Sequence, residues 1–159
     1  MPYLIGHGFD LHRLEPDLPL IIGGQRIEHD RGCAAHSDGD VVYHAVTDAV
    51  LGALGEPDIG QLFPDDDPRH EGADSSAFVA AARQRMAGAG FGLGNLDLTV
   101  VCEQPKIGSR KSEMIANLAR LLDCDVGRIN LKGKTKEQVD AVGEGRAVEV
   151  HAVVLLQHG

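Results

Sequence analysis

The chain has 159 residues, 43% hydrophobic and 25% charged, a balance that excludes disordered and fibrous classes and fits one globular domain, 1–159. Fifteen Lys plus Arg against 24 Asp plus Glu leave a formal charge of −9, the wrong sign for gripping a nucleic-acid backbone. No apolar run reaches the ~20 residues of a membrane helix, and Met1 to Gly8 lacks the basic start and apolar stretch of a signal peptide.

Tyr3 to Leu14 and Leu20 to Ile27 read as strands. The turn-like Glu15-Pro16-Asp17-Leu18-Pro19 between them predicts a hairpin. Ser37-Asp38-Gly39-Asp40 offers an N-cap and an acidic first turn to a helix through Val41, Ala45, Ala49 and Ala53, ending near Gly55. Glu56 to Gly72 lacks periodicity and reads as a long loop, a kind of segment that is often functional. Asp74-Ser75 caps a second helix through Phe78, Val79, Ala82 and Met86. A strand follows at Leu96 to Glu103, ended by Pro105, then a helix over Ser109 to Leu122. Ile129 to Lys132 and Arg146 to Leu156 alternate like strands, with a short polar helix near Lys136 to Ala141. Interleaved helices and strands predict an α+β sandwich: a mixed sheet of four or more strands with helices packed on one face.

Period-two geometry aims Asp10 and His12 at the same face of the first strand, where they could hold one metal. The plain alternative is a strand-end aspartate beside a partly exposed histidine. His44 supplies a third ligand from the first helix, with Asp40 and Asp48 four residues to either side to orient its ring. Asp, His and His would leave a fourth position of a tetrahedral zinc open, the pattern of a catalytic site. The other reading is an amphipathic helix with solvated charges. His36 and Ser37 fall beside the helix N-terminus, a natural seat for a phosphate. Phe63-Pro64-Asp65-Asp66-Asp67 is either a solvated acidic turn or a contact for sugar hydroxyls or a metal. Gln104-Pro105-Lys106-Ile107-Gly108 could read a base edge with its backbone. Lys132-Gly133-Lys134-Thr135-Lys136-Glu137 gathers three cations that could counter the repulsion felt by an anionic ligand, without Walker A spacing. The cysteines, Cys33, Cys102 and Cys124, are odd in number and widely spaced, so no disulfide framework is expected and a reducing, cytoplasmic setting is.

Gly6-His7-Gly8-Phe9-Asp10-Leu11-His12, Ala35-His36-Ser37-Asp38-Gly39-Asp40-Val41, His44-Ala45-Val46-Thr47-Asp48-Ala49, Asp58-Ile59-Gly60 and Leu62-Phe63-Pro64-Asp65, in this order, resemble the 2-C-methyl-D-erythritol 2,4-cyclodiphosphate synthase family nearly end to end. The resemblance implies an enzyme that closes 4-diphosphocytidyl-2-C-methyl-D-erythritol 2-phosphate into the cyclic 2,4-diphosphate and releases CMP. It implies a homotrimer with active sites between neighbouring subunits. By that resemblance Asp10, His12 and His44 hold one zinc per subunit, and Glu137 helps hold a second divalent cation, magnesium. His36 and Thr135 match positions that stabilise the transition state. Substrate contacts match Ser37, Asp58, Gly60 and Asp65 for the methylerythritol phosphate, Pro105, Lys106, Lys134 and Thr135 for cytidine, and also Asp10, His12, His36, Ile59 and Phe63. Lys134 stands where many members carry Thr, and the Val142 to Arg146 segment is shorter than in many relatives.

Two other functions use the same residues. A zinc-dependent phosphohydrolase would employ the same three ligands with water as nucleophile and would give no ring. A nucleotide-binding module would bind CDP without releasing CMP.

Overall fold

A computed structural model describes residues 1–159. The first strand, β1, runs Tyr3–Pro16, and a short hairpin follows, β2 at Leu20–Ile22 and β3 at Gln25–Ile27. The chain continues through β4, Arg31–Cys33, to helix α1, Val41–Leu54, and the one-turn helix α2, Ile59–Leu62. Helix α3, Ser76–Gly88, leads to strand β5, Phe91–Val101, and helix α4, Lys111–Leu122. Strand β6, Ile129–Lys134, the short α5, Asp140–Gly143, and strand β7, Ala147–His158, complete it.

The sheet has five strands in the order β4-β1-β7-β5-β6. It is mixed, as expected: β5 and β6 are parallel and the other pairs antiparallel. The predicted hairpin of β1 with the Leu20–Ile27 strand does not form. Gly23 and Gly24 both take positive φ, 59° and 74°, which splits that stretch into the separate β2–β3 hairpin. Strand β1 pairs instead with β4 and, from Tyr3 to Arg13, with the distant β7.

Helix α1 packs directly on β1 and β7, with α3 beside it and α4 over β6. The contact with β1 is backbone-close because two glycines face it. A Cβ at Gly8 would lie 1.8 Å from the carbonyl oxygen of Ala45, and one at Gly6 1.9 Å from that of Ala49. One core cluster of 34 buried residues joins these elements, including Leu96, Leu98, Val150 and Val154 from the sheet and Val46, Met114 and Leu118 from the helices. The opposite sheet face carries only the short α5, whose Val142 packs with Val101 and Ala147. Alternation along β1 and β7 leaves Ile5 73%, Phe9 47% and Val153 45% exposed there.

Candidate active site

Asp10 and His12 project from β1 toward α1, which presents His44 one turn inside its N-terminus. The Asp10 Oδ2 atom lies 3.2 Å from Nδ1 of His12 and 3.2 Å from Nδ1 of His44. Their ligand atoms all fall within 4.8 Å of one another. Asp10 Oδ2 is buried and accepts no hydrogen bond. Burial pulls the His12 imidazole below its ordinary pKa, against the neighbouring Asp10 carboxylate, which pulls it up. A buried carboxylate oxygen without a donor, facing two imidazole nitrogens, fits a divalent cation, and one carboxylate with two imidazoles is a donor set such ions accept.

Within the predicted capping segment it is Asp40 that holds the first helix. Asp40 is its N-cap, with the carboxylate accepting from Val42 and Tyr43 N–H of the helix and from Gly23 and Gly24 N–H of the hairpin. The predicted phosphate seat at this helix end is therefore closed by Asp40, and His36 and Ser37 reach the site through their side chains instead. The expected orientation of His44 by Asp40 or Asp48 is also corrected. Asp48 accepts from Ile59 N–H at 2.7 Å and so anchors the start of α2. His44 Nε2 meets Ser75 Oγ at 2.9 Å and Ser37 Oγ at 3.1 Å.

Around the three ligands lies a cleft of about 330 Å³. The structure brings His36, Ser37, Ile59, Gly60, Phe63 and Asp65 to it together with Asp10, His12 and His44. The Nε2 atom of His36 is buried without a partner. Asp58 does not line the cleft; its side chain caps α2 by accepting from Gln61 N–H at 2.9 Å. Phe78 and His70, which sequence does not assign to the site, also line it. Phe78 packs tilted against Phe63, ring centroids 4.7 Å apart, and against His44 at 5.8 Å, closing one wall, while His70 stands edge-on to Phe63. Phe78 is buried in the first turn of α3, where sequence periodicity assigns it to the core.

Lys106, Lys134 and Thr135 lie elsewhere, in a second pocket of about 240 Å³ between the β5–α4 turn and the end of β6. Lys111, another unforeseen residue, joins them from the start of α4. The predicted cation cluster is only partly available. Lys132 is paired with Asp97 and Lys136 with Asp140 and Glu149, which leaves Lys134 to face the pocket. Pro105 and Glu137 do not line it. Glu137 has φ 53° and accepts from Thr135 Oγ1 at 3.1 Å, outside the three-ligand cluster.

The family model described as the YgbB family matches residues 3–157. Over 156 residues the chain is 60% identical to the chloroplastic 2-C-methyl-D-erythritol 2,4-cyclodiphosphate synthase of Oryza sativa subsp. japonica, covering 98% of this chain and 70% of that one. Among solved structures it resembles the bifunctional IspDF of Campylobacter jejuni, with a TM-score of 0.94 and 38% identity over 99% of this chain. It spans 42% of that bifunctional protein's length. It also resembles IspF of Plasmodium falciparum in complex with CDP, with a TM-score of 0.87, 35% identity, and 98% of this chain and 96% of that one covered. The match in sequence and fold runs from the strand that bears Asp10 and His12 to the last strand of the sheet, and the chain belongs to the YgbB family.

Proposed function

We propose that residues 1–159 work as one catalytic domain that converts 4-diphosphocytidyl-2-C-methyl-D-erythritol 2-phosphate into 2-C-methyl-D-erythritol 2,4-cyclodiphosphate and CMP. The convergence of Asp10, His12 and His44 in a cleft supports this reading most directly, in a chain so similar to proteins named as that synthase. Asp10, His12 and His44 would hold zinc, and Glu137 would help hold magnesium. When bound, such cations polarise phosphoryl groups and neutralise charge as it develops on the diphosphate.

In the reaction an oxygen of the substrate's own 2-phosphate forms a bond to the β-phosphorus, and the bond from that phosphorus to the α-phosphate oxygen breaks. CMP leaves with that oxygen. The nucleophile is anionic already, so the chain need supply no strong base, and its contribution is position and charge. Ser37, Ile59, Gly60 and Asp65 hold the methylerythritol phosphate in the cleft, with Asp58 fixing the turn that presents Ile59 and Gly60. His36 and Thr135 would donate hydrogen bonds to the phosphoryl oxygens and stabilise charge there as the bond changes. Phe63 and Phe78 wall off water that would otherwise open the ring's precursor by hydrolysis.

Lys106, Lys134 and Thr135 would receive the cytidine diphosphate portion with Pro105. A CDP complex of the similar Plasmodium falciparum protein supports a cytidine ligand. Because this lysine pocket is separate from the metal cleft on the same chain, the complete site would form where the pocket of one subunit meets the cleft of the next. A homotrimer packed through the sheet face opposite α1, α3 and α4 fits the exposed Ile5, Phe9 and Val153. No helix of the chain is long and apolar enough to cross a membrane, and the three thiols are free, in keeping with a reducing cytoplasmic setting. The test is incubation with the cytidine diphosphate substrate, zinc and magnesium, following CMP and the phosphorus spectrum. Release of CMP with the two coupled signals of a cyclic diphosphate is the expected result. Release of CMP with only open-chain phosphates would indicate a hydrolase, and CDP binding without CMP release a binding module.

A further inference from the structure

We infer that Ser75 and Asp38 act together as positioning residues that fix the ring and the tautomer of His44, a conclusion that rests on reading Asp10, His12 and His44 as the metal site. Ser75 is fully buried at the first boundary of α3, where sequence predicts a cap, yet its side chain makes no capping hydrogen bond. The hydroxyl turns instead toward α1. Its Oγ lies 2.5 Å from Asp38 Oδ1 and 2.9 Å from His44 Nε2.

A serine hydroxyl has one proton to donate, and a carboxylate can only accept. The Ser75 proton therefore goes to Asp38, and its oxygen is left to accept from His44. That puts a proton on Nε2 and leaves Nδ1, 3.2 Å from Asp10 Oδ2, as the nitrogen that faces the cluster and can take up a cation there. This is the tautomer a metal ligand needs. Were Ser75 to donate to His44 instead, the imidazole proton would sit on Nδ1 and block it. Ser37 Oγ, 3.1 Å from the same Nε2, can share the donated proton but has no carboxylate to set its direction.

Asp38 is itself fixed. Its carboxylate accepts from Asp40 N–H at 3.1 Å and from Ser75 N–H at 3.1 Å. Backbone bonds from Asp38 N–H to Ala73 C=O and from Gly72 N–H to His36 C=O tie the segment before α1 to the segment before α3. Two distant stretches of sequence thus meet behind a single histidine. Hydrogen-bonded partners behind a ligating imidazole typically alter metal affinity when removed.

The full-length chain, freed of metal with a chelator, should show His44 by nitrogen-15 correlation spectroscopy with Nε2 protonated. Ser75→Ala should mix the two tautomers. In competition against a zinc chelator of known affinity, Ser75→Ala should bind zinc about 10- to 100-fold more weakly. Asp38→Asn, which can offer Ser75 an N–H and reverse the hydroxyl, should act in the same direction with the fold retained by circular dichroism. A His44 with Nε2 bare in the unaltered chain would overturn the inference, as would variants that keep both the Nε2 proton and the parental zinc affinity. Zinc uptake by the unaltered chain tests the metal-site reading separately, because the tautomer is read without metal.

Discussion

Asp40 has the most demanding environment of any single residue, a fully buried carboxylate that joins the hairpin to the head of α1. Burial pushes its carboxyl up to about 6, although the Gly24, Gly23 and Tyr43 N–H groups pull the other way. The folded chain thus holds this proton more tightly than the unfolded chain, where the group titrates near 4. The associated stability is present below about pH 4 and is lost as pH rises through about 6, a change on the order of 3 kcal/mol. Denaturation of the parent and of Asp40→Asn at pH 4 and pH 7 should show the parent's relative stability falling by that order as pH rises. A gap that does not change with pH would contradict the assignment. The Asp-x-His pair and His44 were legible in sequence because period-two and helical geometry are local. The roles of Asp40 and Ser75 were not, because both residues look like ordinary caps until distant backbone is folded against them.

At the scale of elements, the metal ligands depend on how closely α1 lies on β1. Gly8 and Ala45 set that approach, two residues from Asp10 and one from His44. Gly8→Ala places a methyl against a backbone carbonyl that cannot yield without moving the helix. It should destabilise the chain by at least about 2 kcal/mol in urea, and zinc should bind more weakly because Asp10 and His44 sit on the two parted elements. A variant as stable as the parent would show that α1 has more room than its packing implies. Hydrophobic periodicity placed α1, α3, α4 and β1 correctly to within a few residues. The turn-like Glu15 to Pro19 segment suggested the wrong partner for β1, because a turn signal and alternation report local geometry and not which strand lies alongside, and β7, which pairs with most of β1, lies at the other end of the chain.

For the whole molecule, two features of one chain remain incomplete by themselves: a sheet face with exposed Ile5, Phe9 and Val153, and a metal cleft separate from the lysine pocket. Composition and motifs anticipated both sets of residues, but their separation within a chain is a property of the fold that spacing along the sequence cannot carry. Assembly through the open face would account for both at once, each site taking its metal half from one subunit and its nucleotide half from a neighbour. Mixing two inactive variants tests this: His44→Ala, which lacks the metal half, and Lys106→Glu with Lys134→Glu, which reverses the charge of the nucleotide half. Co-expressed, with only one of them tagged and the complexes purified through that tag, random assembly should restore on the order of a quarter of the parental CMP release. A mixture as inactive as each variant alone would place both halves of the site within a single chain and contradict the account.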